Sequence, residues 1–226
     1  MSIALTCGNL NKTYGRTYAL RKAFGGARVL EVLQFAAKFH PNWDWTFAQG
    51  LLQTFRLDPH KKMRQLSRGM ESLVGNIIGL ASRAPLTIYD EPVLGLDVLM
   101  RERFYKALVE DYANYPRTIV LSTHLIDEIA PVAEKVFILE AGSLLFHDDL
   151  ENIHKAAHLL RGQAEAVASF TAGKRVLYTE AYGRGTLAAI YEELDEGDME
   201  QARKLDISME RLTLQKFFSY LIEGGS

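Results

Sequence analysis

Hydrophobic residues along this chain recur with the period of a helix in some segments and run continuously, as in buried strands, in others. From Met70 onward they fall at i, i+3, i+4, i+7, i+8 and i+11, which predicts an amphipathic helix that begins at Ser67. Ser67 is a good N-cap residue, and the first turn of a helix presents unpaired N–H groups and a positive dipole end. We therefore expect the serine end of this helix to be able to face an anion.

A short apolar run, Leu86 to Tyr89, follows this helix and ends abruptly in two carboxylates, Asp90 and Glu91. Its length and continuous apolar character predict a buried strand of a parallel sheet. Open α/β sheets bind ligands at the carboxyl ends of their strands. One carboxylate there can hold Mg²⁺ through water, and its neighbour can orient or deprotonate an attacking water. The spacing suits phosphoryl transfer.

Other segments predict further elements on both sides of this region. Before residue 149 the predicted helices are 28–39, 45–55 and 99–115, and the predicted strands are 2–14, 17–24, 117–121, 136–139 and 144–146. After residue 150 the weaker pattern predicts helices over 150–160, 187–194 and 212–222 and strands over 164–170 and 175–179. Trp43 and Trp45, between the first two helices, are equally compatible with interface anchors and with core packing.

Composition excludes several classes of function. With 26 Lys and Arg against 28 Asp and Glu, the net charge of −2 gives no strong field for nucleic acid or an anionic membrane. The single cysteine, Cys7, excludes an internal disulfide and favours a reducing compartment. Neither a basic signal-peptide region nor a long apolar helix is present, so we expect no membrane span. His154 and His158 are four residues apart but lack a third ligand, which disfavours a metal site.

Four short motifs occur in a fixed order, and each alone would be a weak signal. LSRGM at 66–70 resembles the ABC signature, usually LSGGQ, and LTIYDEP at 86–92 resembles a Walker B strand with its following glutamate. GLD at 95–97 is similar to a D-loop, and STH at 122–124 is similar to a switch histidine. Together with the FHPNWD turn before LSRGM, these motifs resemble the nucleotide-binding domain of ABC transporter ATP-binding subunits, in an exporter-like bacterial subgroup.

The resemblance implies a fold and a domain organisation. The expected fold class is α/β, a P-loop NTPase-like ABC ATPase core that is internally deleted. This ATP-binding domain would occupy residues 1–148, with a helical subdomain at about 27–83, and a small C-terminal α/β appendage would occupy residues 149–226. The expected cofactors are ATP and Mg²⁺.

The resemblance also implies roles for individual residues. Glu91 would be the general base, His124 would contact the γ-phosphate, and Asp90 would orient Mg²⁺. Tyr14, in a K-x-Y-G context, would stack on adenine. The residues that would bind nucleotide across a head-to-tail dimer are Ser67, Arg68, Gly69 and Asp97.

One motif of this family is missing from the sequence. The phosphate loop G-x-x-x-x-G-K-[ST] should follow the amino-terminal hairpin, but the chain passes from Gly26 directly into the next predicted helix. Neither Gly173-Lys174 nor the stretch 183–186 fits the pattern, and Gln34 lies within a helix rather than in a Q-loop. Without the lysine and backbone N–H groups that cradle the β- and γ-phosphates, we do not expect this chain to hydrolyse ATP alone.

The missing segment has a structural consequence as well. In the family it includes the strand beside Walker B, so we expect the strand 86–89 to lose a neighbour and to expose an edge.

Three interpretations of function remain open from the sequence. The first is an ATP-binding subunit that couples ATP binding and hydrolysis to transmembrane transport. Its expected partners are a second ABC ATPase subunit, in a homo- or heterodimer, and a transmembrane permease subunit, but no nucleic acid. It would be cytoplasmic and peripheral at the inner face of the cell membrane. The second is a non-hydrolytic half-partner that supplies LSRGM to another ABC subunit, and the third is an internally deleted, non-functional product.

Overall fold

The computed structural model describes residues 3–8, as backbone, and residues 23–224. These residues form two compact units. The first contains the residues up to 124 together with 139–146, and the second contains 125–138 together with the residues from 147 onward. The expected domain boundary after residue 148 stays a prediction, and each unit is described below by itself.

A five-stranded sheet contains the strand that carries the two carboxylates. Its strands are β1 (Ile3–Gly8), β2 (Leu86–Asp90), β3 (Thr118–Ser122), β4 (Lys135–Glu140) and β5 (Ser143–Asp149). Their order is β2-β3-β1-β4-β5, and both β1 and β2 run parallel to β3. The register pairs Asp90 with Ser122, so the carboxyl ends of β2 and β3 lie side by side.

Four helices of the first unit follow the sequence prediction closely. They are α1 (Val29–Ala37), α2 (Trp45–Thr54), α3 (Arg68–Ala81) and α4 (Val98–Asn114), with a 3₁₀ turn at Met63–Gln65. Ser67 caps α3 as predicted, because its hydroxyl accepts a hydrogen bond from the Met70 N–H at 3.2 Å. Both α1 and α2 pack on α3.

The two faces of β2 differ in burial. Thr87 and Tyr89 are buried on one face, where the Tyr89 ring lies 5.7 Å from the ring of Phe104 on α4. Leu86 and Ile88 on the opposite face are 52% and 67% exposed. Since β2 is also the first strand in the order of the described sheet, the predicted exposed edge is confirmed.

The second unit is built on a four-stranded antiparallel sheet. Its strands are β6 (Ala157–Gly162), β7 (Val176–Tyr182), β8 (Gly185–Tyr191) and β9 (Ser208–Arg211), in the order β7-β8-β6-β9. Its helices are α5 (Ile126–Ile129), α6 (Leu150–Ala156), α7 (Ala164–Thr171), α8 (Glu196–Lys204) and α9 (Leu214–Gly224). Leu160, Phe170 and Ile190 belong to its core. This mixture agrees with the predicted α/β appendage.

Three element predictions in this region were wrong. The helix predicted over 150–160 ends at Ala156, because the following residues pair with both β8 and β9. The strand predicted over 164–170 is helix α7, which buries Val167 and Phe170. The helix predicted over 187–194 is largely strand β8, whose consecutive buried residues hide the alternation that marks a strand.

Two smaller predictions are also corrected. His154 and His158 do not share a helix, since His154 lies on α6 and His158 on β6. Of the strand predicted over 17–24, residues 23 and 24 are helical, and the remainder lies outside the described residues, as does Tyr14. Within 3–8 and 23–224, no helix combines the length and the hydropathy needed to cross a membrane.

Candidate functional site

The carboxyl ends of β2 and β3 bring two of the predicted residues together. Glu91 follows β2 directly, and its backbone N–H donates to the Ser122 carbonyl at 2.9 Å. This bond holds Glu91 at a φ of 49°, a left-handed conformation that is rare for a residue with a side chain. His124 lies two residues beyond the end of β3. Its Nδ1 is 2.8 Å from Glu91 Oε1, so the predicted pair is in hydrogen-bond contact.

The two side chains of this pair differ in exposure. The Glu91 side chain is 29% exposed and that of His124 is 62% exposed. Glu91 Oε2 is buried and has no hydrogen-bond partner among the described atoms. The contact uses Nδ1 of His124, so Nε2 is the ring atom that can bond to a ligand. The Nε2 atom of His124 is thus left for a ligand at this edge of the sheet, beside the partly exposed Glu91 side chain.

Asp90 has a separate partner on β3. The hydroxyl of Ser122 donates to Asp90 Oδ1 at 2.7 Å, and Asp90 is exposed. A carboxylate beside a hydroxyl suits Mg²⁺, which takes oxygen ligands and keeps several waters. Across the described residues, no group of three or more His, Cys, Asp or Glu is placed to hold a metal ion. A cation at Asp90 would therefore complete its coordination with water or phosphate oxygens.

The start of α3 forms a second cluster of predicted residues. Gly69 is buried, and a Cβ atom added to it would lie 2.4 Å from the carbonyl oxygen of Gly95. Gly95 itself has a φ of 79°, which favours glycine. Ser67 and Arg68 are exposed beside this contact. The LSRGM and GLD segments therefore lie against each other, backbone to backbone.

Asp97 ends the GLD segment and begins α4. Its carboxylate accepts a hydrogen bond from the Met100 N–H at 2.9 Å, as an N-cap residue does. This contact is a structural role for a residue that the sequence assigned to nucleotide binding.

Asn76 was missed by the sequence reasoning. It is buried in the middle of α3, and its Nδ2 donates to the Pro92 carbonyl at 2.8 Å. The bond fixes the chain immediately after Glu91. The sequence did offer a sign of this contact, since Asn76 is a polar residue within the apolar stripe of α3. Buried polar groups nearly always have a hydrogen-bond partner.

A buried ion cluster lies among four elements of the first unit. Arg83 bonds to Asp44 at 2.9 Å and also to Asp111, and Arg117 bonds to Asp111 at 2.6 Å. The Phe47 backbone N–H, with help from Arg83, holds the pKa of Asp44 below its ordinary value. Burial lowers the pKa of Arg117. The cluster joins the starts of α2 and β3 to the body of α4 and to the residues after α3.

Comparisons with known proteins agree on one group of relatives. The ABC transporter ATP-binding protein YtrB of Bacillus subtilis is 25% identical over 123 residues, which cover 54% of this chain and 42% of that protein. The uncharacterized ABC transporter ATP-binding protein YthP of the same organism is 31% identical over 108 residues, 47% of this chain and 45% of that protein. The chain thus spans about half the length of the curated relatives it matches. A comparison with protein-family models found no match.

Solved structures share the fold. An ATP-binding subunit of an ABC transporter superposes with a TM-score of 0.55 at 20% identity, covering 68% of this chain and 80% of that one. A putative cobalt transport ATP-binding protein superposes with a TM-score of 0.52 at 18% identity, covering 84% of this chain and 65% of that one. The resemblance to ABC nucleotide-binding domains is confirmed. The α/β fold of the ABC ATPase core is the fold of this chain, in a shortened form.

In the structure, the predicted site residues fall into two groups. Glu91 and His124 are in contact, with Asp90 beside them on β2. Ser67, Arg68 and Gly69 form the start of α3, next to Gly95 rather than to the Glu91–His124 pair.

Proposed function

We propose that this chain is an ATP-binding subunit of an ABC transporter and couples ATP binding and hydrolysis to transmembrane transport. The proposal rests above all on the 2.8 Å contact between Glu91 and His124 at the carboxyl ends of two parallel strands. Ligands of open α/β sheets bind at this edge. Three of the relatives are named as ABC transporter ATP-binding proteins, and these names support the same function.

Each residue of the pair has a role that its surroundings permit. Glu91, whose side chain is 29% exposed, would take a proton from the water that attacks the γ-phosphate. His124 would donate a hydrogen bond from Nε2 to a γ-phosphate oxygen, while Nδ1 keeps the ring against Glu91. Asp90 and Ser122 would hold Mg²⁺, whose charge offsets that of the phosphate oxygens. Tyr14, outside the described residues, would stack on adenine.

The start of α3 would serve a second ABC ATPase subunit. Ser67, Arg68 and Gly69 would close over the nucleotide held by that subunit, where the unpaired N–H groups of a helix start favour phosphate. Asp97 would line the same junction, and the dimer would be formed by two copies or by two different chains. A transmembrane permease subunit would then place this chain at the cytoplasmic face of the membrane.

A second candidate function is that of a non-hydrolytic half-partner. The sequence contains no G-x-x-x-x-G-K-[ST] segment, so this chain lacks the usual cradle for its own nucleotide. The start of α3 is nevertheless well formed, with Ser67 as its cap. Such a chain would complete its partner's site while its own Glu91 stays idle.

Two substitutions in the assembled transporter complex separate these functions. Under the first proposal, Glu91→Gln removes the base and lowers the ATPase rate by about 10²-fold or more, whereas in a half-partner the rate stays unchanged. Ser67→Arg fills the start of α3 and abolishes ATPase under both. Glu102→Gln, at an exposed position on α4, is the control for loss of a carboxylate and should have no effect. Full activity in Ser67→Arg would contradict both functions.

Sequencing the gene across the codons for Phe24 to Arg28 addresses the remaining interpretation. A phosphate-loop segment found between Gly26 and Ala27 would make this an ordinary transport ATPase. A junction confirmed as printed, together with a complex that has no ATPase activity, would favour an internally deleted product.

A further inference from the structure

Six aromatic residues near the start of the first unit form two groups of neighbouring rings. Phe24, Phe35 and Phe39 follow one another with ring centroids 5.1 Å apart at each step. His40, Trp43 and Trp45 form the second group, at 6.2 Å and 5.5 Å, and this group begins at the residue after Phe39. These six residues are called the aromatic surface below.

Three rings of the aromatic surface are exposed, whereas Phe24, His40 and Trp43 are half-buried and the Trp43 Nε1 atom is buried. Phe39 is 67% exposed, Phe35 45% and Trp45 38%. The inner side of α1 is already buried through Val29, Val32 and Leu33. The exposed side of α1 carries Phe35 beside the polar residues Glu31 and Gln34, and Phe39 lies just beyond the end of the helix. Exposed contiguous apolar groups of this kind mark binding sites.

Basic residues border the aromatic surface. Lys38 is exposed, is the C-cap residue of α1 and directly precedes Phe39. The segment 61–64 runs beside the residues before α1, since the Met63 and Arg64 N–H groups donate to the carbonyls of residues 27 and 25. Residues 24–68 contain seven Lys and Arg but three Asp and Glu, while the whole chain has a net charge of −2. The aromatic surface thus belongs to a sequence segment with an excess of positive charge, in a chain whose net charge is negative.

We propose that the aromatic surface binds directly to the headgroup region of an anionic lipid bilayer. Phe and Trp rings settle at the boundary between headgroups and acyl chains, and Lys and Arg attract anionic headgroups. The net charge of the chain does not oppose this, because charges more than about 10 Å from the membrane are screened at ordinary ionic strength. The combination of exposed rings with a cationic border favours lipid over an uncharged apolar protein surface. This binding requires neither nucleotide nor a permease and is independent of the proposed function.

Tryptophan fluorescence of the chain itself can report whether the aromatic surface enters a bilayer. Its two tryptophans, Trp43 and Trp45, both belong to the aromatic surface. Full-length protein is mixed with vesicles of phosphatidylglycerol and phosphatidylcholine in equal parts, or of phosphatidylcholine alone. We expect a blue shift of tryptophan emission and quenching by brominated acyl chains with the anionic vesicles, together with co-sedimentation. High salt, at about 1 M, should weaken the binding because the Debye length falls to about 3 Å.

Matched variants locate the binding surface. Phe39→Ser and Lys38→Glu should each lower vesicle affinity about tenfold. Tyr182→Ser, an exposed ring of the second unit at 62% exposure, should bind as the unchanged chain does. Far-ultraviolet circular dichroism checks that each variant is folded, and Phe39 is exposed enough for its removal to leave the core intact.

Three results would overturn the proposal. The first is unchanged tryptophan emission with anionic vesicles, and the second is vesicle binding that Phe39→Ser and Lys38→Glu leave intact. The third is binding only to vesicles that contain a membrane protein partner, which would assign the aromatic surface to a protein instead.

Discussion

Gly69 is the residue whose identity the structure restricts most directly. An alanine Cβ at this position would lie 2.4 Å from the Gly95 carbonyl oxygen, and backbone on both sides must move to relieve the overlap. We expect Gly69→Ala to lower the free energy of unfolding by about 1–3 kcal/mol, as overpacking does. Urea denaturation followed by circular dichroism measures the change.

A control for this substitution lies in the same helix. Gly75 has no atom within 4 Å of its added Cβ, so Gly75→Ala should keep or raise stability through better helix propensity, by up to about 1 kcal/mol. Equal losses in both variants would show that helix α3, rather than the contact with Gly95, is what each alanine disturbs.

The contacts of a residue could be predicted from the sequence only where both partners lie close together along the chain. Ser67 could be assigned as a cap because capping involves residues three apart in sequence. Glu91 and His124 were named from motifs, but their contact depends on the register of β2 against β3, which a single sequence does not specify. The bonds of Asn76 and Ser122 were missed for the same reason, since their partners lie 16 and 32 residues away.

Among the elements, α4 is joined to its neighbours by a buried carboxylate as well as by apolar packing. The Asp111 side chain is 1% exposed and accepts hydrogen bonds from Arg83 and Arg117. Asp111→Ala would leave two guanidinium groups facing each other in the interior, which should cost about 3–5 kcal/mol of unfolding free energy. Thermal and urea unfolding of the full chain would register this loss.

The neighbouring residue on α4 provides the comparison. Glu110 forms an exposed pair with Lys106 at 3.8 Å, so Glu110→Ala should leave stability nearly unchanged. A small loss in Asp111→Ala, similar to that in Glu110→Ala, would mean that the buried cluster contributes little.

Most elements up to β5 could be predicted, although α5 and the helical residues 23 and 24 were not, and three predictions after β5 were wrong for a physical reason. Helices α1 to α4 each expose one face, so their apolar residues recur with a clear period. Strand β8 is flanked by β7 and β6 and buries Ala188, Ala189 and Ile190 in succession. A short run buried on both faces has no period, and only the tertiary structure decides between helix and strand.

At the scale of the whole molecule, β2 has an exposed face and lies at the edge of the described sheet, which favours association with other chains. Parallel sheets are normally covered on both faces, and an exposed edge strand invites pairing with other chains. We expect Ile88→Lys to reduce self-association of the purified chain, because a charge on the exposed edge discourages such pairing. Sedimentation velocity over a range of protein concentrations measures the effect.

Val109→Lys on α4 changes a 39% exposed apolar residue away from this edge and serves as the control. It should associate as the unchanged chain does. An equal reduction in both variants would attribute the effect to added charge rather than to the edge of the sheet.

The net charge of −2 averages a cationic stretch around α1 with an acidic remainder. Charge counted by segment reveals this asymmetry from the sequence alone, whereas the two groups of neighbouring rings are visible only in the structure.

Helix α3 touches the chain around Glu91 at more than one point along its length. Its first turn contacts the backbone of Gly95. About two turns further on, the Asn76 side chain donates a hydrogen bond to the Pro92 carbonyl. Arg83, just past its end, is anchored to Asp111. We therefore expect a displacement of α3 at its exposed Ser67 end to shift the backbone at Pro92 and Gly95 as well, just after Glu91.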